Sequence, residues 1–408
     1  MHGMDFAGEI TDPVHRYIQI SQAEKEIIDL PSFQRLRRIR QLAGAHLVYP
    51  SAQHSRFEHS LGAMHVAGSA GDVLFRKGYI GSGEVVQDLR LAALLHDIGH
   101  GPFSHLFEEV LELKGSTTHE QIGRRIILET EISDILSKYG HNPEHISSLS
   151  FGSRKVGFLN EVISGALSAD IMDYLPRDGL FTGAEYAKID VYRLAGSLEV
   201  HNGRLAISSS ALNSLESMLI SRYEMFKAVY FHKTVRSAEV MLLESMIAAD
   251  DELALTGDSL ENYFRLTDEA TLERLCNASN ANAARLATDY RDRRLLKAAY
   301  EKIILKRGKG QAILDRKALR SIAAEIAGAA DVDAEAVFVD ASRAPSMPLT
   351  PSKDELRSII VVENKKASER PVSDLPLIDS IAGFLDMLRV YTTNENREAV
   401  ERSIKKVL

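Results

Sequence analysis

Apolar side chains recur every three to four residues over most of the chain, which is the period of helices that bury one face. This period predicts helices over EKEIIDL, SFQRLRRIRQL, RFEHSLGAMHVAGSAGDVLFRKG and VVQDLRLAALLHDIGHG. Residues 158–180 and 207–250 continue the same pattern. Thr117 and Glu120 have the spacing of a capping box, so we expect another helix to begin beside His119.

Two parts of the chain alternate with a period of two, as strands do. SLEVHNGRLAIS predicts a β-hairpin that turns at Asn202 and Gly203. Beyond about residue 328, AVFVD and RSIIVVEN indicate strands, and LPLIDSIAGFLDMLRV indicates a final helix. The predicted fold class is mainly α, with an all-helical body over residues 1–328 that includes the short β-hairpin, and a small C-terminal α/β subdomain over residues 329–408.

Composition narrows the class of protein. The 408 residues are 45% hydrophobic and 26% charged, as in globular proteins of two or three domains. Acidic residues outnumber basic ones by 57 to 49, and this net charge of −8 disfavours nucleic acid as a partner. The single cysteine, Cys276, fits a reducing cytosol and excludes a thiolate-rich metal site. With no apolar run of about 20 residues and no signal-peptide pattern at the start, we expect a cytoplasmic protein without a membrane span.

Histidines concentrate in one region, where eight of the 14 fall between His46 and His119. The segment HDIGHGPFSH places His96 and Asp97 side by side at the end of an apolar helix. An ionised aspartate is costly to bury unless a cation or paired donors accompany it. Neighbouring helical residues diverge by about 100°, so both reach one ion only in a crevice that other helices complete. His59 and Asp170 are candidates for the remaining ligands, although ordinary buried hydrogen-bonded side chains are the alternative for each residue.

Four motifs, RFEHS, HDIGHGPFSH, THE and DIMDYLPRD, resemble in order and spacing those of the HD-domain phosphohydrolases. Within that superfamily the chain resembles the deoxynucleoside triphosphate triphosphohydrolases of the SAM-and-HD-domain type, which are dGTPase-like, here without the SAM domain. The similarity extends from TDPVH through FQRLRRIRQL and YFHKTVRSAE to RAPS. It implies that one divalent ion, Mn, Fe, Mg, Ni or Zn, is bound by His59, His96, Asp97 and Asp170, with additional Mg accompanying the nucleotide.

The resemblance also implies roles in catalysis. His105 is expected next to the α-phosphorus and His100 near the sugar or the phosphates. His119 resembles a residue that transfers protons together with a carboxylate. Glu108 stands at the position of that carboxylate, where the relatives have aspartate, so the pair has a longer side chain than theirs. The capping box already accounts for Glu120.

Residues for substrate binding carry over in the same way. Arg56, Arg222 and Lys233 are expected at the phosphates, and a surface ion pair with Glu58 is the alternative for Arg56. The other expected contacts are to the sugar or its neighbourhood: Gln41 and Asp178 at the 3′-hydroxyl, Tyr174 at a phosphate or the sugar, and Tyr230 stacked near the sugar. Ile171 departs from the relatives, which have lysine or arginine there and so place an additional charge at the phosphates.

A second nucleotide site is implied by Asp29, Gln34 and Arg37, which resemble residues that recognise an activating guanine nucleotide at a subunit interface, together with Arg193 of a neighbouring chain. A carboxylate such as Asp29 suits guanine because it accepts from both N1–H and the 2-amino group. Such a site implies a homodimer or homotetramer. Glu9 replaces a lysine of the activated relatives, and an ordinary interface is the alternative.

The resulting hypothesis is a metal-dependent dNTP triphosphohydrolase that releases deoxynucleoside and tripolyphosphate, with possible activation by a guanine nucleotide. One alternative is an HD phosphohydrolase for another phosphoester, namely a nucleoside monophosphate, a cyclic nucleotide or a single-stranded nucleic-acid end. The other alternative is a non-catalytic nucleotide sensor. Ile171 and Glu9 are the residues that favour the alternatives.

Overall fold

The structure is a computed structural model that describes residues 5–114, 117–152, 157–257, 259–306, 315–345, 358–371, 374–381 and 384–407. Helices dominate the described chain, which confirms the predicted mainly α fold class. The helices are α1 (Gln22–Ile28), α2 (Pro31–Gln34), α3 (Arg56–Arg76), α4 (Gly83–Leu95), α5 (His105–Lys114), α6 (His119–Glu129), α7 (Glu131–Lys138), α8 (Pro143–Phe151), α9 (Phe158–Ser164), α10 (Ala169–Thr182), α11 (Val191–Gly196), α12 (Leu212–Met225), α13 (Lys233–Leu253), α14 (Leu260–Phe264), α15 (Asp268–Cys276), α16 (Ala281–Arg291), α17 (Arg316–Ala330), α18 (Pro376–Ile381) and α19 (Arg397–Val407).

Three small sheets accompany the helices. Their strands are β1 (Phe6–Asp12), β2 (Arg16–Ser21), β3 (Leu198–His201), β4 (Arg204–Ser208), β5 (Lys297–Lys306), β6 (Val337–Pro345), β7 (Ser358–Glu363), β8 (Lys366–Pro371) and β9 (Phe384–Thr392). Strands β1 and β2 pair antiparallel, a second sheet has the order β3-β4-β7-β8, and the third has the order β5-β9-β6. The predicted hairpin is confirmed as β3–β4, where Asn202 and Gly203 both have positive φ, as a tight turn requires.

The helical body is built around α3, which packs on α4 and is crossed by α10. Small residues along α3 allow these helices to approach closely. Gly62 is the extreme case, because a Cβ there would lie 1.8 Å from Asp173 Oδ1 on α10 and 2.5 Å from Arg177 Nη2. The start of α10 and the end of α4 are thereby brought to the same side of α3.

Several predicted elements differ from the structure. SFQRLRRIRQL forms only the short α2 and a 3₁₀ turn over Arg35–Arg38, because Arg35 turns inward and donates to the Ile98 and His100 carbonyls. The capping box before α6 uses Thr118 and Gln121, one residue later than predicted from Thr117 and Glu120.

Two further helices were predicted too long. LPLIDSIAGFLDMLRV ends its helix at Ile381 and continues as β9, which pairs with strands on both sides. Arg222 and Lys233 do not share one helix, because a π-helical segment over Phe226–Tyr230 and a break at His232 separate α12 from α13. The side chain of His232 caps α13. The RAPS motif and the segment LKRGKGQ lie partly outside the described residues.

The boundary at residue 328 stays a prediction. Helix α17 runs through it, and β5, which precedes it, pairs along its length with β9, which follows it. From the other side, β7 joins β4 in a parallel pair. Strands from both predicted domains therefore share two of the sheets.

Candidate metal centre and active site

Three helices bring four side chains to one point. His59 lies in α3, His96 and Asp97 follow the end of α4, and Asp170 lies in the first turn of α10. His59 Nε2 is 3.3 Å from His96 Nε2, 3.1 Å from Asp170 Oδ1 and 3.6 Å from Asp97 Oδ2. The structure thus brings together all four residues that were predicted as metal ligands.

The hydrogen bonds of the two histidines test whether an ion fits between them. His96 Nδ1 is 2.7 Å from the Ala93 carbonyl, which only accepts, and His59 Nδ1 is 2.8 Å from a carboxylate oxygen of Asp173. Each Nδ1 is therefore a donor, and each Nε2 faces the other Nε2 and two carboxylates, so that its lone pair is directed at the same point once its own proton is released to an incoming ion. Such a set of converging acceptors fits a divalent cation.

Electrostatics agree with this assignment. Burial lowers the pKa of His59, but Asp170, Asp173 and Asp97 outweigh burial and raise it to about 10. The carboxyl of Asp170 has its pKa held well below the usual range, because its hydrogen bonds with His59 and His96 outweigh the cost of burial. The centre therefore stabilises positive charge, which a metal ion supplies.

Asp173 organises a buried charged network behind His59. It accepts from the Arg177 guanidinium through both oxygens, at 2.8 and 2.9 Å, and lies 2.7 Å from His15 Nε2. Arg177 also donates to Asp12 at 2.8 Å, so the β1–β2 hairpin is tied to the network. Sequence reasoning missed Asp12 and His15, although both lie in the TDPVH motif. The spacing of one helical turn between Asp173 and Arg177 was the available signal for their pairing.

Arg56 lies in the first turn of α3, where it is only 2% exposed. Its Nη1 donates to Asp97 Oδ2 and its Nε donates to Ser104 Oγ at 2.7 Å. Its Nη2 is buried and has no hydrogen-bond partner among the described residues. Glu58, the alternative partner, instead completes the capping box of α3 by accepting from the Ser55 backbone.

The other three histidines of the predicted site, His100, His105 and His119, lie close together on one side of Asp97. His100 stacks on His119 with ring centroids 4.0 Å apart, and His100 Nε2 lies 3.4 Å from Asp97 Oδ1. His119 Nδ1 hydrogen-bonds to Glu108, and His105 Nδ1 lies 3.6 Å from the same carboxylate. Burial raises the pKa of Glu108, but these two histidines outweigh burial and hold the pKa well below its usual range. Glu108 therefore occupies the place expected for the partner of His119.

A cavity of about 360 Å³ opens beside His105, which was predicted to act in catalysis. Its wall also includes five of the residues that were predicted to bind substrate: Gln41, Tyr174, Asp178, Arg222 and Tyr230. Tyr230 donates to Asp178 Oδ2 at 2.7 Å, and Arg222 Nε lies 3.3 Å from the Tyr174 hydroxyl. Gln41 Oε1 is buried without a hydrogen-bond partner among the described residues.

Two positions that the sequence analysis discussed for phosphate binding lie outside the cavity wall. Lys233 begins α13 with an exposed side chain and is not in the wall of the cavity. Ile171 is 5% exposed and belongs to the hydrophobic core, so it contributes packing on the side of α10 away from the cavity.

The residues predicted for an activator lie on the surface. Gln34 donates to the Ile28 carbonyl at 2.7 Å, and Arg37 donates to Gln34 at 2.8 Å. Asp29 is the C-cap of α1, and among the described residues it pairs only with Lys25, at 3.4 Å, in an exposed contact. Arg193 lies in α11 and donates to the Ser210 carbonyl at 2.8 Å. Asp29, Gln34 and Arg37 therefore share one surface region, and Arg193 belongs to another element.

Comparison with known families defines the class. The HD domain model matches residues 56–177, which contain the four residues of the metal centre. The model of the HD-associated region matches residues 189–408, more than half of the chain. The chain belongs to the HD-domain phosphohydrolase family that carries this associated region. HD domains bind a divalent metal, and the cluster of His59, His96 and Asp97 fits such an ion.

Individual relatives are similar to about two thirds of the chain. The uncharacterised protein YwfO of Bacillus subtilis is 37% identical over 270 residues, which are 64% of this chain and 61% of that protein. The human deoxynucleoside triphosphate triphosphohydrolase SAMHD1 is 30% identical over 317 residues, covering 65% of this chain and 50% of that protein. The chain thus spans about half to three-fifths of the length of these curated relatives.

Solved structures share the fold over nearly the whole chain. A hypothetical protein from Aquifex aeolicus is 29% identical, with a TM-score of 0.78 and coverage of 97% of this chain and 99% of that one. A phosphohydrolase from Bacteroides thetaiotaomicron is 24% identical, with a TM-score of 0.75 and coverage of 95% and 100%. None of the helices in the described part of the chain combines the length and apolar character that a bilayer crossing needs.

Proposed function

We propose that this protein is a metal-dependent deoxynucleoside triphosphate triphosphohydrolase, which converts a dNTP and water into deoxynucleoside and tripolyphosphate. The observation that carries the proposal is the set of converging acceptors from His59, His96, Asp97 and Asp170 beside a cavity of about 360 Å³. The names of the human and Dictyostelium discoideum relatives give the substrate class.

In this proposal the phosphates bind between the metal centre and the cavity. Arg56 offers its unpartnered Nη2 there, while its Nη1 keeps Asp97 ionised and in place. Arg222 supplies the second guanidinium from the cavity wall, and Lys233 contributes longer-range charge from the start of α13. These cations neutralise the charge that spreads over the phosphate oxygens during cleavage.

Proton transfer falls to the histidines beside Asp97. A bound divalent ion supplies Lewis acidity, which lowers the pKa of water and polarises a phosphate oxygen. His105, which is 74% exposed, faces the opening and protonates the departing 5′-oxygen, or the His119–Glu108 pair does so. His100 stacks on His119 and holds that ring in position near Asp97.

The sugar lies against Tyr174 and Tyr230. Asp178 is fixed by Tyr230 and by His54, at 2.7 and 2.8 Å, and accepts the proton of the 3′-hydroxyl. Gln41 contacts the same hydroxyl from the cavity wall. A tyrosine packed against the 2′ position excludes a ribose hydroxyl by size, which gives preference for deoxynucleotides.

The assembly and its activator belong to the same proposal. Asp29, Gln34 and Arg37 bind a guanine nucleotide at an interface of a homodimer or homotetramer, with Arg193 of the neighbouring chain. Glu9 reduces the affinity for the phosphates of that nucleotide. The proposed setting is the cytoplasm, with neither membrane nor nucleic acid as a partner.

Ile171 favours a second candidate, a phosphohydrolase for a smaller phosphoester such as a nucleoside monophosphate. The resemblance implies a cation at this position, whereas this chain has a buried isoleucine without charge. A lost charge-assisted contact costs roughly 1.5–3 kcal/mol of binding free energy.

The test is an incubation with each of the four dNTPs and GTP, alone and in mixtures, with Mg²⁺, Mn²⁺ or Co²⁺, followed by ion-exchange separation of products. Deoxynucleoside with intact tripolyphosphate is the expected result, and activity that appears only in mixtures indicates the activator site. Intact dNTPs with every metal contradict the proposal. Hydrolysis of monophosphates then supports the second candidate, and tight binding without turnover supports a nucleotide sensor.

A further inference from the structure

Two consecutive residues in the cavity wall have an unusual backbone conformation. Phe103 and Ser104 have φ angles of 59° and 57°, in the left-handed region that residues other than glycine seldom adopt. Both line the cavity, and His105, the proposed proton donor, follows them directly at the start of α5. Strained backbone persists only where surrounding contacts hold it, so the contacts of these residues show what fixes the 101–104 loop.

The contact that holds Phe103 comes from a distant part of the chain. Asp268, the first residue of α15, is 2% exposed, and its Oδ1 accepts from the Phe103 backbone N–H at 2.8 Å. Its Oδ2 accepts from the Arg40 backbone N–H at 3.0 Å. Gln41, which follows Arg40, also lines the cavity. From behind the cavity wall, one carboxylate therefore joins two of the segments that form it.

Ser104 connects this arrangement to the metal centre. Its hydroxyl donates to the Arg40 carbonyl at 2.7 Å and accepts from Arg56 Nε at 2.7 Å. Arg56 in turn donates to Asp97, one of the four residues of the metal centre. Asp268 and Ser104 thus bind the N–H and the carbonyl of the same residue, Arg40. The position of the Arg56 guanidinium therefore depends on the Asp268 carboxylate through Ser104.

Other contacts hold the backbone just before the left-handed residues. Tyr263 of α14 donates to the Gly99 carbonyl at 2.7 Å, and Arg35 donates to the His100 carbonyl at 2.8 Å. These bonds fix carbonyl groups, whereas Asp268 fixes an N–H group further along the loop. Tyr263 and Asp268 both belong to the HD-associated region, so this region supports the loop at two points.

We infer that Asp268 is a positioning residue of the active site, which holds Phe103 and Ser104 in the left-handed conformation. That conformation directs Arg56 toward the phosphates and His105 toward the cavity. A carboxylate suits this place because it accepts from two converging N–H groups, whereas an amide accepts from one and opposes the other. The effect on catalysis rests on the proposed function, while the hold on the loop does not.

The ionisation of Asp268 gives a second way to remove its charge. Burial raises its pKa from 3.8 to about 6, although the N–H groups of Phe103 and Arg40 oppose the shift. A protonated carboxyl resembles an amide, because it accepts from one N–H and opposes the other. The other ionisable groups that face Asp268 are the side chains of Arg40, Glu269, Arg35 and Tyr290. These groups are the same in a variant at position 268, so their titration cancels in a comparison with the wild type.

The test compares Asp268→Asn with a matched control, Asp250→Asn. Asp250 is also buried and accepts from the Thr256 backbone N–H and hydroxyl, at 3.0 and 2.9 Å, and neither residue lines the cavity. At about pH 8, with the dNTP that the wild type cleaves fastest, kcat of Asp268→Asn is expected to be about 10–100-fold lower, the cost of misplaced catalytic groups. Asp250→Asn is expected to keep the wild-type kcat.

The pH profile separates a positioning role from a general loss of stability. At about pH 5 roughly nine-tenths of the wild-type Asp268 carboxyl is neutral, since its pKa is about 6. The ratio of wild-type to Asp268→Asn kcat is therefore expected to narrow by about five- to tenfold between about pH 8 and about pH 5.

Hydrogen exchange of the peptide over residues 98–107, followed by mass spectrometry, needs no turnover. In Asp268→Asn this peptide is expected to exchange about tenfold faster, the value of a lost hydrogen bond to a charged acceptor. Peptides of α3 and α4 are expected to keep their wild-type rates. If Asp268→Asn does not fold, wild-type exchange at about pH 5 and about pH 8, corrected for the intrinsic rate, replaces it, and protection that is lost at the lower pH supports the inference.

Equal exchange of the 98–107 peptide in Asp268→Asn and the wild type overturns the inference, as does faster exchange with unchanged kcat. A kcat ratio that does not vary with pH also overturns it, as does pH-independent protection in the wild type. If the wild type cleaves no dNTP, the proposed function fails, and the exchange experiment with Asp250→Asn as its control decides whether Asp268 holds the loop.

Discussion

At the residue scale, the orientation of two imidazoles defines the centre. In His59 and in His96, Nδ1 donates a hydrogen bond to a fixed acceptor. Both Nε2 atoms are therefore directed at the position of an ion. Asp173 is the acceptor for His59 and also binds Arg177 and His15, which keeps it ionised although it is fully buried. Asp173 is not one of the four residues of the metal centre, yet it determines which nitrogen of His59 carries a proton.

Replacement of Asp173 by asparagine tests this dependence. Asp173→Asn leaves Arg177 and His15 competing for one neutral acceptor and frees His59 to adopt the other tautomer. We expect metal affinity to fall by about 10–100-fold, as for other residues that orient a ligating histidine. Metal retained after dialysis against graded chelator measures the change. Asp88→Asn, which alters the Asp88–His141 contact, is the control, and equal retention in both variants contradicts the assigned role.

Glu239 is expected to make the free energy of unfolding depend on pH. Burial raises its pKa from 4.5 to about 7, although Arg236 opposes the shift. Between those values the folded protein holds a proton that the unfolded chain releases, so the stabilisation is complete below about pH 4.5 and is lost as the pH rises through about 7.

Denaturant titrations of Glu239→Gln at several pH values measure this contribution. The wild-type free energy of unfolding is expected to fall by roughly 1–3 kcal/mol more than that of Glu239→Gln between about pH 5 and about pH 8. The exposed substitution Glu273→Gln serves as the control and follows the wild type. Parallel curves for Glu239→Gln and the wild type refute the assignment.

At the element scale, close packing of α3 on α10 places Asp170 opposite His59. Gly62 makes this approach possible, and a side chain there meets Asp173 and Arg177. Neither side chain has room to move, since both are fully buried and joined to each other. Overpacking at such a contact is relieved only by separating the helices.

We therefore expect Gly62→Ala to lower the free energy of unfolding by about 2 kcal/mol or more and to reduce metal binding with it. Thermal denaturation with and without metal measures both effects. Gly196→Ala, at a helical glycine with open space around its Cβ position, is expected to leave both unchanged. A Gly62→Ala protein with wild-type stability and metal content would show that the helices tolerate separation.

Sequence patterns predicted some of these features and missed others. The four residues of the candidate metal centre could be found because each is a polar residue on an apolar helix within an ordered motif. Strand β9 could not, because Arg389, Val390, Tyr391 and Thr392 are buried in succession, so the second half of the strand does not alternate between buried and exposed residues. The 3₁₀ turn after α2 was missed because Arg35 is satisfied by carbonyls more than sixty residues away, a tertiary contact that local periodicity does not report.

At the scale of the whole molecule, the C-terminal sheet and the helical body are joined by specific polar contacts. Arg236 of α13 binds Asp340 of β6, and Arg389 of β9 donates to the Phe231 carbonyl at 2.6 Å. The Tyr391 hydroxyl donates to the Lys233 carbonyl at 2.9 Å. One wall of the cavity therefore depends on residues from position 340 onward.

Truncation after residue 328 removes β6 and β9 and leaves β5 as an unpaired edge with the apolar side of α17 uncovered. Exposed edges of this kind promote aggregation. We expect the fragment to aggregate at concentrations at which the full chain stays monodisperse, as measured by light scattering. A monodisperse fragment with full dNTP turnover would instead support two independent domains divided at residue 328.

The most direct measurement is hydrolysis of dGTP in ¹⁸O-labelled water, with mass spectrometry of both products. The proposed chemistry has water attack the α-phosphorus while the bond to the 5′-oxygen breaks and that oxygen takes a proton from a histidine. All of the label is then expected in tripolyphosphate and none in the deoxynucleoside. Label in the deoxynucleoside, or release of pyrophosphate with labelled monophosphate, would contradict cleavage at this centre.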